Sequence, residues 1–296
     1  MTVARRRPLL RLLWGASRPA QLLLILGVYA LGVKAADALG ATVEPAGVLA
    51  GALALVPVAA SVHYINEYAD HGTDALTDRT PFSGGSGALA ATGLPRSLLL
   101  WAAVVALLAG AGLAGTAAAF GRLDGLALGL LGAIAAFGWQ YSVGPLRLAW
   151  RGVGELDNAA LGGLALPAYA AATVDGPAGT VALACVPFFL VVLLNLFATQ
   201  WPDREADAAV GKRTLAVRWS AGRLRRAYAA VGVAAVASLL ALHPWPLPTP
   251  VALGSLVAAP LLVVGWLGYT RRRVPWPTVT AMVALAAGQF AGWCLV

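Results

Sequence analysis

Residues 47–74 read GVLAGALALVPVAASVHYINEYADHGTD. The first part, residues 47–65, holds no Asp, Glu, Lys or Arg, and its 19 residues fall within the roughly 17 to 25 a helix needs to cross hydrocarbon. The second part turns at once to a polar segment in which Asn66, Asp70 and Asp74 recur at every fourth position and Asp78 continues the series. Four residues advance a helix by about 6 Å and turn it by only about 40°, so these side chains form one polar stripe on an extension of the apolar helix. An apolar helix ending in a stripe of carboxylates is the unit from which the rest of the chain is read.

Working outward, 59% of the 296 residues are hydrophobic and 11% charged, against about 25% charged in a soluble domain. Composition therefore predicts an all-α, polytopic membrane protein. Nine apolar blocks stand out, at residues 19–36, 47–65, 97–120, 123–140, 159–173, 180–199, 227–242, 251–269 and 277–296. Nine crossings put the termini on opposite sides. Arg5, Arg6, Arg7, Arg11 and Arg18 precede the first block, and the even-numbered connections carry most of the other basic residues. On this count 19 of the 21 Lys and Arg share one face and only Lys34 and Arg122 lie on the other. The positive-inside rule makes that face cytoplasmic, with the N-terminus inside and the C-terminus outside the cell membrane. The arginine-rich start, the apolar run and Val33-Lys34-Ala35 resemble a cleavable signal peptide. The run is long for one, and its removal would break the charge alternation, so it is read as the first span. A net charge of +8 is explained by topology and attraction to anionic lipid headgroups, which argues against a nucleic-acid partner. Cys185 and Cys294 lie inside apolar blocks without metal-like spacing and read as packing residues.

Nine of the 13 acidic residues fall in three segments on the basic face. Carboxylates beside hydrocarbon are costly and mark functional paths or ion partners. The second acidic segment, NLFATQWPDREADAAVGKRTLAVRWS, leaves the sixth block and repeats the stripe as Asn195, Thr199, Asp203 and Asp207; its aspartates lie 133 residues beyond Asp70 and Asp74. A solvated acidic helix end accounts for one DxxxD. Two, at matching ends of apolar helices, suit a hard cation such as Mg²⁺ held by carboxylates together with substrate phosphates. Metal-bridged carboxylates would bind a diphosphate rather than repel it and neutralise charge on the leaving group. Glu67 and Glu205 lie off the stripes, facing solvent or basic partners. Arg79 and Pro81 mark a helix end near Asp78 and leave it both a structural and a ligand role. The third segment, YSVGPLRLAWRGVGELDN, reads as a loop and carries Tyr141, Arg147, Arg151, Glu155, Asp157 and Asn158. Arg147 and Arg151, like Arg79, Lys212 and Arg213, either bind diphosphate or an acceptor carboxylate or mark the headgroup boundary. The glycine-rich TPFSGGSGAL at residues 80–89 lacks the lysine and the strand–helix setting of a nucleotide loop and reads as a flexible lid. His63 and His71 are read as packing or hydrogen-bonding residues.

The chain resembles the UbiA superfamily of intramembrane prenyltransferases: Asn66, Asp70 and Asp74 match its NxxxDxxxD pattern and Asp203 and Asp207 its DxxxD pattern. The resemblance covers nearly the whole chain. It implies one transmembrane domain over residues 1–296, nine helices around a central cavity with a cytoplasmic polar cap, and a lateral opening for a lipid-like donor. It implies a site of Asp70, Asp74, Asp203 and Asp207 with Asn66, holding two Mg²⁺ bridged by the diphosphate of an isoprenyl donor, with Arg18, Arg79, Tyr141, Arg147, Arg151, Asn195, Lys212 and Arg213 around the substrates. Arg18-Pro19 is similar to a recurring family feature. PDREADAAVGKRTLAVR and YSVGPLRLAWRGVGEL are similar to the menaquinone branch, which prenylates 1,4-dihydroxy-2-naphthoate, although the first motif departs from that branch's commonest, longer Asp spacing. A terpene cyclase or carotenoid-elongating enzyme of the same superfamily needs the same ionisation without a quinone precursor. An ion or lipid transporter would place its acidic groups near the bilayer midplane, whereas here they crowd one end.

Overall fold

The computed structural model describes residues 3–296, with side chains from Arg7 onward, so the side chains of Arg5 and Arg6 in the basic N-terminal cluster lie outside what is described. No strand occurs among the described residues. The helices in chain order are α1 (Val3–Ala16), α2 (Pro19–Ala38), α3 (Pro45–Ala69), α4 (His71–Asp74), α5 (Ala88–Thr92), α6 (Ser97–Ala119), α7 (Gly125–Ser142), α8 (Gly154–Ala160) and α9 (Leu166–Ala172). They continue with α10 (Ala178–Ala184), α11 (Val186–Gln200), α12 (Arg204–Ala209), α13 (Leu215–Arg218), α14 (Ala221–Ala241), α15 (Thr249–Ser255), α16 (Ala258–Gly268) and α17 (Trp276–Trp293). A π-helical turn, Leu161–Ala165, joins α8 to α9, and a 3₁₀ turn, Leu148–Trp150, precedes α8.

Local chemistry sets many of these boundaries. Proline opens α2, α3, α11, α15 and α17, where its missing N–H is no loss. Asp124 caps α7 by accepting from the Ala127 N–H at 2.7 Å, and the Ser220 hydroxyl caps α14 at 3.3 Å.

Among the described residues, six helical segments are long and apolar enough to cross a membrane: α2, α3, α6, α7, α14 and the α15–α16 run from Thr249 to Gly268. A seventh is added if α10 and α11, bent by 56° at Cys185, count as one span. Pro187, two residues past Cys185, has no N–H to carry the ladder across the bend. The fifth and ninth apolar blocks are also helical, as α8 to α9 and α17. Large apolar side chains such as Trp101, Leu108, Val233 and Leu240 are exposed along these helices, Leu240 to 78%. On a multi-pass membrane protein this is the face presented to lipid.

The interior is joined as membrane helices are, by small residues and interhelical hydrogen bonds. At Gly32 a Cβ would collide with Pro167 and Ala170 of α9, and Gly254 of α15 meets Gly288 of α17 backbone to backbone. Tyr29 bonds Thr173 at 2.8 Å, Tyr228 bonds Thr278 at 2.8 Å, and Tyr169 donates to the Gly51 carbonyl at 2.9 Å. The main core runs through Tyr29, Tyr169, Phe188, Leu194, Tyr228 and Trp293. A second, smaller core of Leu12, Ala16, Ala88, Leu89 and Leu99 fastens α1 and α5 to the start of α6, at the end where the acidic motifs lie.

Candidate active site

The first stripe holds for three of its four members. The Asp70 N–H bonds the Asn66 carbonyl and the Asp74 N–H bonds the Asp70 carbonyl, both at 2.8 Å, so the helical path continues from α3 through α4. It ends at Asp74. Asp78 lies beyond, in an exposed pair with Arg273 at 3.0 Å, and does not join the stripe. The second stripe breaks in the middle. Pro202 has no N–H to donate, a turn separates α11 from α12, and the Thr199 hydroxyl turns back to its own helix at the Asn195 carbonyl, 2.9 Å away. Asp203 precedes α12 and Asp207 lies within it.

Chain reversal after α12 brings in a cation. Gly211 sits at φ 82 with its N–H on the Ala208 carbonyl at 3.1 Å, and the Lys212 N–H bonds the Asp207 carbonyl at 2.9 Å. These are the two bonds of a Schellman close, for which glycine supplies the left-handed residue. The turn folds Lys212 back over α12. Its ammonium, on a residue only 7% exposed, lies 3.1 Å from Asp70 and 3.5 Å from Asp207, so one cation stands between the two motifs. Asn66 donates to Asp70 at 3.0 Å and to the Ser142 hydroxyl at 3.1 Å, tying the first motif to the end of α7. Thr214 donates to Asp207 at 3.5 Å.

The glycine-rich segment, read from the sequence as a flexible lid, lies across the aspartates and is fastened to them. The Gly84 N–H donates to Asp203 at 3.4 Å, and a Cβ on Gly85 would collide with the Asp74 carboxylate. Glu67, read from the sequence as facing solvent or a basic partner, is 2% exposed. It accepts from Arg18 at 3.0 Å and from Ser86 through both backbone N–H and hydroxyl. Glu205 is exposed and pairs with Arg204 at 2.5 Å.

The other expected site residues divide. Arg18 is committed to Glu67. Arg79 donates to the carbonyls of Gly85 and Ser86 at 3.2 and 2.5 Å. The Tyr141 hydroxyl accepts from Gln200 at 3.5 Å. Asn195 keeps a buried carbonyl oxygen without a protein partner, as Asp203 does one carboxylate oxygen. Arg147, Arg151 and Arg213 are exposed around the rim; Arg147 lies over Trp150 and Arg151 donates to the Pro145 carbonyl at 2.9 Å. Glu155, Asp157 and Asn158 belong to α8 rather than to a loop, and Glu155 is buried, accepting from the Leu215 N–H at 2.7 Å. Ser142, Ser83, Ser86, Gln200 and Thr214 join the site although nothing in their sequence spacing marks them. Cavities of about 10 and 20 Å³ lie among α11, α14, α16 and α17 and do not touch the aspartates.

Burial sets the electrostatics. It pushes the Asp74 carboxyl up to about 7, aided by the charges of Asp70 and Glu67. It pushes Asp203 up to about 6, aided by Asp207 and opposed by the Gly84 N–H and Ser83 hydroxyl. Asp207 is raised by burial against the pull of Lys212. For Lys212 burial acts downward, but Asp70 and Asp207 outweigh it and hold the ammonium charged, above the ordinary lysine range. The arrangement brings hard oxygen donors of both motifs to one end of an apolar bundle, with one internal cation between Asp70 and Asp207.

Fold and site define a class: multi-pass helical membrane proteins with paired aspartate motifs at one end. A match to the UbiA prenyltransferase family spans residues 22–275, and the chain belongs to that family of membrane prenyltransferases. Among curated proteins no sequence matches. The fold is similar to that of a UbiA homologue from Archaeoglobus fulgidus bound to DMAPP and Mg²⁺, at 18% identity and TM-score 0.65 over 97% of this chain and 99% of that one. It is similar to a UbiA homologue from Aeropyrum pernix K1 in its apo form, at 19% identity and TM-score 0.68 over 91% and 97%. It is also similar to digeranylgeranylglyceryl phosphate synthase, at 12% identity and TM-score 0.67 over 97% and 99%.

Proposed function

We propose that this chain transfers a prenyl group from an isoprenyl diphosphate to a small aromatic quinone precursor of the 1,4-dihydroxy-2-naphthoate type, in a Mg²⁺-dependent reaction. One observation carries the reading: Lys212 stands between Asp70 and Asp207, so two motifs far apart in sequence face a common point. The A. fulgidus relative bound to DMAPP and Mg²⁺ supports the donor and the metal. The stretches PDREADAAVGKRTLAVR and YSVGPLRLAWRGVGEL support the aromatic acceptor by resemblance.

The residues present fit the metal. Every candidate ligand is a hard oxygen, and Asp203 keeps a buried oxygen with no protein partner. Among the described residues no three Asp, Glu, His or Cys side chains form a cage. Mg²⁺ needs none, being commonly held by one or two carboxylates and substrate phosphates. Asp70, Asp74, Asp203 and Asp207 would hold two ions, with Asn66 orienting Asp70; bound metal supplies charge that stabilises the departing diphosphate. Lys212 donates to a diphosphate oxygen, exchanging a carboxylate for the substrate. Arg147, Arg151 and Arg213 draw the anionic headgroup to the rim, with Arg18, Arg79, Tyr141 and Asn195 in the surrounding shell. As the allylic carbon–oxygen bond breaks, its electron pair leaves with diphosphate. The acceptor's ring electrons form the new bond to carbon, and the ring gives up a proton.

The same reading treats residues 1–296 as one transmembrane domain that crosses the membrane nine times with its N-terminus and aspartates cytoplasmic. The helical runs from Gly154 to Ala172 and from Trp276 to Trp293 support the two crossings beyond the six segments apolar enough to stand alone and the bent α10–α11 pair. The test is product identification by mass spectrometry, from the lipid-reconstituted protein, Mg²⁺, a series of prenyl diphosphates and aromatic, carotenoid and glycerol-phosphate acceptors. Prenylated aromatic product is expected. A cyclic hydrocarbon from donor alone would assign a terpene cyclase, and no product with any acceptor would refute transfer.

A further inference from the structure

The geometry points to Glu67 as a positioning residue: it latches the glycine-rich segment 80–87 so that this strap rests on Asp74 and Asp203 together and holds the two motifs at their working separation. The inference rests on the two-motif reading above.

Four donor contacts converge on this one carboxylate. Arg18 reaches one oxygen at 3.0 Å, the Ser86 N–H lies 3.0 and 3.1 Å from the two oxygens, and the Ser86 hydroxyl makes a short bond to one of them. Glu67 is 2% exposed, and a carboxylate so buried persists only when paired and hydrogen-bonded. Arg18, its counter-ion, sits at φ 52, in a left-handed conformation that an arginine before proline adopts only under constraint. The constraint is visible nearby. His63 bonds the Ser17 carbonyl at 2.7 Å and the Tyr64 hydroxyl donates to the Leu13 carbonyl at 3.2 Å, pinning the α1–α2 corner to α3.

The strap has a second anchorage beyond Ser86. The Ser86 hydroxyl accepts from the Ala88 N–H at 3.1 Å as α5 begins, and α5 packs through Ala88 and Leu89 onto Leu12, Ala16 and Leu99. Between Glu67 and the aspartates the strap bears through Ser83, Gly84 and Gly85: the Ser83 hydroxyl and the Gly84 N–H serve Asp203, and Gly85 leaves no room for a side chain beside Asp74. These two carboxylates belong to helices far apart in sequence, and the strap is a support they share. Releasing its middle removes this shared support and leaves Lys212 as the link between the motifs, which weakens the hold on a ligand bridging both and leaves the reacting groups in place. The hydrogen bonds of Glu67 go to Arg18 and Ser86 and to none of the aspartates.

The experiment compares Glu67→Gln, Glu67→Asp and Ser86→Ala with wild type in two measurements. The first is tryptic cleavage after Arg79, which reports opening of the strap without reference to activity. The second is steady-state kinetics with the prenyl diphosphate varied. Loss of a charge-assisted bond predicts that Glu67→Gln and Ser86→Ala are cleaved after Arg79 about tenfold faster and show about a tenfold higher KM, with kcat nearly unchanged. Glu67→Asp, which keeps the charge, should fall between them and wild type. A purely structural role would lower the amount of active protein and leave KM where it was. Unchanged cleavage in both Glu67→Gln and Ser86→Ala, or a fall in kcat at constant KM, overturns the assignment; Ser86→Ala decides if Glu67→Gln does not fold. Asp203→Ala serves as the separate control: should it stay active, the two-motif reading fails, and cleavage after Arg79 alone then decides whether Glu67 latches the strap.

Discussion

Asp74 and Asp203 are held as carboxyls that titrate at about 7 and about 6, against 3.8 ordinarily. Between those values the folded protein binds more protons at these positions than the unfolded chain does. Their contribution to stability is therefore complete below the unfolded value and is lost as pH rises through about 6 and then 7. Thermal unfolding in chelator, followed from about pH 5 to about pH 8, should show a falling midpoint, and Asp74→Asn should flatten that fall; an unchanged slope in the variant would contradict the burial argument. Function runs the other way, because the ionised forms bind a cation. Asp70→Ala and Asp203→Ala should each cut turnover by more than about 10²-fold while eluting as folded protein in size-exclusion chromatography, since each removes a polar group and no apolar core. Full activity in both would dismiss the paired-motif mechanism. At this scale the chemistry was legible where helical spacing applied: Asn66, Asp70 and Asp74 share a face because the helix continues beneath them. Asp78 was misleading for the same physical reason, since the helix stops first.

Among the elements, the strap over residues 80–87 departs furthest from its sequence. Glycine-rich composition reads as freedom, yet here glycine permits contact. Gly85 combines φ 65 with a Cβ position that would meet Asp74, whereas Gly93 has φ 63 and nothing within reach. An alanine at either position costs about 1 to 2 kcal/mol of left-handed backbone strain. Gly85→Ala alone should also displace the Asp74 carboxylate. Activity assays should find Gly85→Ala at least about tenfold the weaker of the two, with similar melting temperatures for both; equal activities would show that the strap does not bear on Asp74. The sixth apolar block is another case. Its length announced a span, but the 56° bend at Cys185 is a backbone event beside Pro187 that hydropathy does not register.

The whole molecule gathers its acidic motifs at the end where 19 of 21 basic residues are placed by the nine-block count. Single cysteines introduced at Asp78 and Glu205, both exposed, should react with a membrane-impermeant thiol reagent only after cells are opened, and one at Arg122 should react in intact cells, with Cys185 and Cys294 replaced beforehand. Labelling of Asp78→Cys from outside would invert the topology. What the sequence by itself determined is what depends on neighbours along the chain: apolar lengths, helical spacing of carboxylates, and the sign of each connection. What only the tertiary structure decided is what depends on partners distant in sequence. Lys212 finds Asp70 across 142 residues and Arg18 finds Glu67 across 49. A lysine in a basic loop and a glutamate off its stripe look the same in sequence whether solvated or buried. Packing of α3 against the turn after α12, and of the strap against Glu67, removes the water that would otherwise separate those charges and makes them a site.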